Sequence, residues 1–161
     1  MIMRYIDLHV HSNCSDGTFS PEELVVLGIK QELVAFALTD HDTISGVERA
    51  IKKAEEFDNK IQVIPGMELS CKYTISSSQS VEIHMLGYRY DIHNKKLIAT
   101  LEDISNERDE RNRKMCSNLQ NAGFPISYDM LCERFGDTIL TRAHFARLLL
   151  ENGGVPSVSY T

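Results

Sequence analysis

Nowhere in the 161-residue chain is there an apolar run of roughly 18 residues, so a membrane-spanning helix is not expected. The start, Met1-Ile2-Met3-Arg4-Tyr5, lacks the apolar stretch of a secretory signal. A basic excess is also missing. Lys and Arg number 17 against 23 Asp and Glu, a net charge of −6, which argues against a broad footprint for duplex DNA. The four cysteines, Cys14, Cys71, Cys116 and Cys132, form no C-x-x-C pair. They read as reduced thiols of a cytoplasmic protein and not as a disulfide framework. No internal repeat or low-complexity tract interrupts the chain. What remains is a chain of one-domain size whose 42% apolar content suffices for a packed core. The acidic balance still permits a small phosphorylated substrate, because bound cations invert the local field.

The residues that stand out lie near the N-terminus, in Asp7-Leu8-His9-Val10-His11-Ser12-Asn13-Cys14-Ser15-Asp16-Gly17. Tyr5 to Val10 alternates apolar and polar, the pattern of a strand. Asp7, His9 and His11 then share one face, and Ile6, Leu8 and Val10 the other. Two imidazoles at a strand end, with Asp16 returning from the next loop, make one wall of a metal site. Ser20, Pro21 and Glu23 then form a helix-start signal, with the helix running from Pro21 to about Gln31. Leu33 to Thr39 is nearly all apolar, as in a strand buried on both faces. It leads into Thr39-Asp40-His41-Asp42. Ser45 and Glu48 predict a second capping box, followed by a helical face of Val47, Ala50, Ile51, Ala54 and Phe57.

A third strand is expected at Ile61–Ile64, extending through Glu68 toward Ile75, and a fourth at Val81–Tyr88 after a polar loop. Repeating β-α units imply a parallel sheet or barrel, with function at the carboxyl ends of the strands. After residue 93 the character changes. Asn94 caps a helix predicted over Lys95–Gln120, and its mixed-charge run Glu107–Lys114 reads as a solvated face. Gly123 and Pro125 end that helix. Short helices at Tyr128–Phe135 and from Thr141 or Arg142 to Glu151 follow, with a weak strand signal at Thr138–Leu140. The division expected is 1–93 for the first β/α units and 94–161 for an all-helical segment.

Six ligand-type residues sit in strands or just beyond their ends: His9, His11, Asp16, His41, Glu68 and His84. Imidazole with carboxylate suits Mn, Zn or Fe better than Ca or Mg alone. A carboxylate such as Glu68 can bridge two cations, and paired ions activate water and neutralise a phosphoryl group in transfer. Asp7 is placed to orient His9, and Asp40 and Asp42 to orient His41, by hydrogen bonds to the rings. Cys14 lies in the same loop, but the nitrogen and oxygen donors around it suffice.

Taken together these residues resemble the PHP (polymerase and histidinol phosphatase) superfamily of metal-dependent phosphoesterases. The likeness lies in DLHVHSNCSDGTFSPEEL (His9, His11, Asp16), ALTDHDTISG (His41), IPGMELS (Glu68) and EIHMLGY (His84), over roughly residues 5 to 90. The wording TDHDTISG, PGMELS and TRAHFARLL is most similar to the branch of 3′,5′-nucleoside bisphosphate phosphatases that also act as exonucleases on RNA 5′ ends. The resemblance implies an α/β fold: the N-terminal part of a distorted, TIM-like β/α barrel, followed by a small helical insertion. It implies divalent metal ions, up to three in a complete site, and phosphomonoester hydrolysis by metal-activated water. It also implies that Arg142 and His144, at a helix start that favours anions, help bind a substrate phosphate. Expected partners are a small phosphorylated nucleotide or short RNA end, with no duplex DNA and no membrane.

Family members continue for a hundred residues or more beyond this point and supply further His and Asp ligands there. His93 and His144 do not fit those places by context. The expectation is therefore of an N-terminal part of such a protein, binding fewer than three ions and open at its sheet edges unless an oligomer or partner covers them. Two alternatives stay open: a metal-binding or scaffolding module without catalysis, and a histidinol-phosphate-type phosphatase. A polymerase-attached module is disfavoured by the acidic charge.

Overall fold

The computed structural model describes residues 5–156. The chain divides into two compact units, Met1–Leu101 and Glu102–Thr161.

In the first unit, β1 (Tyr5–Val10), β2 (Leu33–Leu38), β3 (Gln62–Ser76) and β4 (Gln79–Tyr88) form one four-stranded sheet in the order β1-β2-β3-β4. β1, β2 and β3 pair in parallel through the crossover helices α1 (Pro21–Lys30) and α2 (Val47–Glu55). This is an α/β half-barrel. β4 departs from the repeating pattern and pairs antiparallel with β3 as a long hairpin. The polar stretch read as a loop contracts to a tight turn, with Gln79 and Ser80 already in β4.

Local chemistry explains both helix starts. At α1, Glu23 N–H donates to Ser20 Oγ at 3.2 Å and Ser20 N–H donates to Glu23 Oε2 at 2.8 Å, a complete capping box. The box expected at Ser45 does not form. Gly46 is the N-cap of α2, in helical conformation and without a side-chain cap bond, while Ser45 N–H is taken by Thr43 Oγ1 at 3.2 Å. The core joins α1 and α2 to the sheet through Val25, Phe36, Leu38, Val47, Ala50 and Ile61, all nearly or fully buried. β1 and β4 are exposed along most of their length, including Ile6, Leu8, Ile83 and Met85.

The helix α3 (Lys95–Asn121) starts in the first unit, where Leu97 N–H donates to Asn94 Oδ1 at 3.1 Å. The second unit adds α4 (Tyr128–Phe135) and α5 (Arg142–Glu151) around Ile126, Leu131, Phe145 and Leu148. The weak strand signal at Thr138–Leu140 gives no strand. The run Glu107–Lys114 is not a uniformly solvated face. Arg108 and Asn112 are buried, and Asn112 Nδ2 donates to Leu140 O at 3.2 Å. Arg108 lines a cavity of about 290 Å³ with Ser105, Asp109 and Tyr128. Among the described residues, no helix is long and apolar enough to cross a membrane.

Candidate metal centre

The parallel strands end on one side of the sheet, and the polar residues that follow them meet there. Thr39 ties the first two ends together: Val10 N–H donates to Thr39 Oγ1 at 3.0 Å, and Thr39 N–H donates to Val10 O at 2.7 Å. His41 forms an isolated parallel bridge with Glu68, extending the β2–β3 pairing past the end of β2. In the hairpin, Ser70 pairs with His84, which puts His84 one same-face step from Glu68. Backbone register thus brings four separate chain segments to one place.

Glu68 is 7% exposed and lies at the centre. Its Oε2 is 2.9 Å from His9 Nε2, 3.0 Å from His11 Nε2 and 3.6 Å from His41 Nδ1. Its Oε1 is 3.0 Å from His84 Nδ1. Asp16 bridges the other pair, with Oδ1 3.3 Å from His11 Nδ1 and Oδ2 3.5 Å from His41 Nε2. These contacts define three groups: His9–His11–Glu68, His11–Asp16–His41 and His41–Glu68–His84, each with donor atoms within 4.8 Å of one another. His11, His41 and Glu68 each belong to two groups.

The electrostatics follow from this crowding. Burial alone would raise the Asp16 carboxyl, but hydrogen bonds and charge from His11 and His41 outweigh it and hold it far below the usual carboxylate range. Burial likewise works against the Glu68 carboxylate, and His9, His41 and His11 reverse the sign and hold it low. For His11, burial favours the neutral ring, yet the hydrogen bond to Asp16 and the charges of Asp16, Glu68 and Asp40 raise its pKa on balance.

The donor set fits divalent metal ions. Two donors about 2.1 Å from one ion at a tetrahedral angle stand about 3.4 Å apart, and the contacts here run from 2.9 to 3.6 Å. Among the described residues, buried His41 Nδ1 has no hydrogen-bond partner, a position that an ion would satisfy.

The aspartates beside these ligands act on backbone and hydroxyl groups. Asp7 Oδ1 accepts from His9 N–H at 3.1 Å, so its bond is to the backbone of His9 and not to the ring. Asp40 accepts from Ser12 N–H, Ser12 Oγ and Ser15 Oγ. Asp42, at φ 52°, accepts from Ser70 N–H at 2.8 Å, and its own N–H donates to Glu68 O at 3.0 Å. Ser12 and Ser15 were not singled out from sequence, because serine is common in any loop. Gly17 packs so closely that a Cβ there would lie 2.1 Å from His11 O.

Arg142 and His144 belong to the second unit. Arg142 is exposed at the start of α5. His144 is buried, its Nδ1 accepts from Thr141 N–H at 2.9 Å, and its ring packs edge-on against Phe135.

Such a fold and donor set define an α/β half-barrel with a candidate centre for several metal ions. The chain belongs to the PHP domain family, whose model matches residues 7–150. It is 37% identical over 149 residues to a 5′-3′ exoribonuclease of Haemophilus influenzae, an alignment covering 92% of this chain and 52% of that one. It is 33% identical over 155 residues to a 3′,5′-nucleoside bisphosphate phosphatase of Chromobacterium violaceum, covering 95% and 52%. The crystal structure of a candidate metal-dependent phosphoesterase from Bifidobacterium adolescentis matches with a TM-score of 0.80 at 29% identity, over 96% of this chain and 52% of that one. The chain thus spans about half the length of these relatives.

Proposed function

We propose that this chain carries the metal-binding part of a phosphoesterase that removes phosphate from nucleotides, of the 3′,5′-nucleoside bisphosphate or RNA 5′-end kind. The observation that supports it most is Glu68, shared between two three-donor groups with His9, His11, His41 and His84 around it. Mn, Zn or Fe ions are the cofactors this donor set suits. When bound, such ions supply activated water and offset the charge of the phosphoryl group.

The chain's own residues do the rest. Glu68 presents one oxygen toward His9 and His11 and the other toward His84, a disposition that suits a bridging carboxylate. Asp16 does the same between His11 and His41. Both carboxyls are held low, so both stay ionised at neutral pH and keep the site negative enough to retain cations. Arg142, exposed in the first turn of α5, is the residue proposed to take a substrate phosphate. His144 supports that turn through Thr141. The names of the two relatives, an exoribonuclease and a bisphosphate phosphatase, support nucleotide substrates over other phosphomonoesters.

A second reading has this chain bind metal without turnover. It is favoured by the exposure of β1 and β4 along most of their length. One experiment separates the two: release of inorganic phosphate from 3′-phosphoadenosine 5′-phosphate with and without Mn²⁺, alongside direct Mn²⁺ binding. Metal-dependent release that Glu68→Gln abolishes supports the phosphoesterase. Mn²⁺ binding without release supports the second reading. Absence of binding refutes both.

A further inference from the structure

Two of the candidate ligands, His11 and Asp16, ride on the loop between β1 and α1. The loop is shaped by its own backbone: Ser15 N–H and Gly17 N–H both donate to Ser12 O, and Asn13 N–H donates to Phe19 O. Those bonds fix its outline without tying it to His41. Asp40 makes that tie. It is 2% exposed, directly precedes His41, and accepts from Ser12 N–H at 2.7 Å, Ser12 Oγ at 2.6 Å and Ser15 Oγ at 2.7 Å. A buried carboxylate persists only when its oxygens are well bonded, and these three short bonds meet that need. All three partners lie on the loop. Ser15 Oγ also lies 3.4 Å from His11 Nδ1, beside the contact of that ring with Asp16. Asp42, on the far side of His41, turns the other way and holds β3 through Ser70 N–H.

We propose that Asp40 is a positioning residue that clamps Ser12 and Ser15 so that His11, Asp16 and His41 converge on one metal ion. This rests on the metal-centre reading above and gives the acidic residue before His41 a task other than orienting the His41 ring. The group His41–Glu68–His84 stands on β-pairing and depends on the clamp little.

The test is Mn²⁺ binding by the full 161-residue chain, followed by equilibrium dialysis. The variants are Asp40→Asn, Ser15→Ala, Asp16→Asn and the double Asp40→Asn/Asp16→Asn. Loss of a group that bonds to a ligand or its carrier typically weakens a metal about 10–100-fold. Asp40→Asn is therefore expected to weaken the Asp16-dependent ion by about that factor and to leave the His41–Glu68–His84 group, which takes no ligand from the loop, in place. Ser15→Ala is expected to weaken the same ion by less. In the Asp16→Asn background, Asp40→Asn should cost nothing further, because the ion it serves is already lost.

Equal weakening of every ion, or a full additional loss in the double variant, indicates general destabilisation and overturns the clamp. So does wild-type binding by Asp40→Asn. If Asp40→Asn does not fold, Ser15→Ala decides: loss confined to the Asp16-dependent ion supports the clamp, and unchanged binding refutes it. No Mn²⁺ on the wild-type chain overturns the metal reading and the clamp together. Loss of an ion in Asp16→Asn but in neither Asp40→Asn nor Ser15→Ala overturns the clamp alone.

Discussion

Glu68→Gln is the most informative single change. Gln matches Glu in volume, so the fold is expected to persist and the loss falls on charge and donor character. Glu68 belongs to two of the three groups, and Asp16 to one. Removing a partner that only touches a ligand already costs about 10–100-fold in metal affinity. Removing the shared donor is expected to exceed roughly 100-fold at both groups that use it. The group His11–Asp16–His41 does not include Glu68 and should keep its ion. Asp16→Asn should give the converse: that ion lost and the two Glu68 groups retained. Equilibrium dialysis against Mn²⁺ with metal analysis counts ions per chain in each variant, and circular dichroism checks the fold. Glu68→Gln is expected to retain fewer ions than either wild type or Asp16→Asn. If Glu68→Gln retains as many ions as wild type, or more than Asp16→Asn, the shared-donor reasoning is wrong.

Four further outcomes are expected. Mn²⁺ affinity should rise with pH through the raised His11 pKa, since the proton on that ring competes with metal, while Asp16 stays ionised throughout; a binding titration that is flat from pH 6 to 8 refutes this. In the metal-free chain Asp16 and Glu68 have lowered pKa values, so their stabilisation is present above the unfolded carboxyl value near 4 and is lost as pH falls through the folded values; denaturant midpoints between about pH 6 and pH 2 check the sign. Gly17→Ala places a Cβ 2.1 Å from His11 O, which should cost roughly 1–3 kcal/mol in urea unfolding and weaken the Asp16-dependent ion. Phe36→Ala empties a site that is 1% exposed and should cost about 3–5 kcal/mol; a loss below about 1 kcal/mol would mean the core closes over the gap.

How legible these features were in sequence depended on how local their causes are. The start of α1 is written in four consecutive residues, and Ser20 and Glu23 bond as the spacing predicts. Ser45 and Glu48 have the same spacing, yet Thr43 takes the Ser45 N–H and the chain turns at Gly46 instead. The run at Glu107–Lys114 misled because its burial is decided by distant chain: Asn112 reaches Leu140 O, 28 positions on. The strand ends were readable, and the residues after them do converge, because parallel register carries each strand end to the same side. The direction of β4 was not, since hairpin and crossover strands share the same alternation. The tasks of Asp40 and Asp42 were also hidden. A carboxylate beside a histidine suggests a bond to the ring, but both turn away to the loop and to β3.

The β3–β4 hairpin bears on folding as well as on chemistry. Its outer half, from Lys72 to Ile83, is exposed on both strands, so burial does little to choose among alignments. A slip of two residues would keep every side chain on its own face and displace His84 by about 7 Å along the strand. The contact between His84 and Glu68 would then be gone. A cation held by His41, Glu68 and His84 would therefore act as a gauge pin for the hairpin, accepting one alignment and rejecting its near neighbours. Metal added during refolding should narrow the hairpin to that single alignment before it serves any substrate.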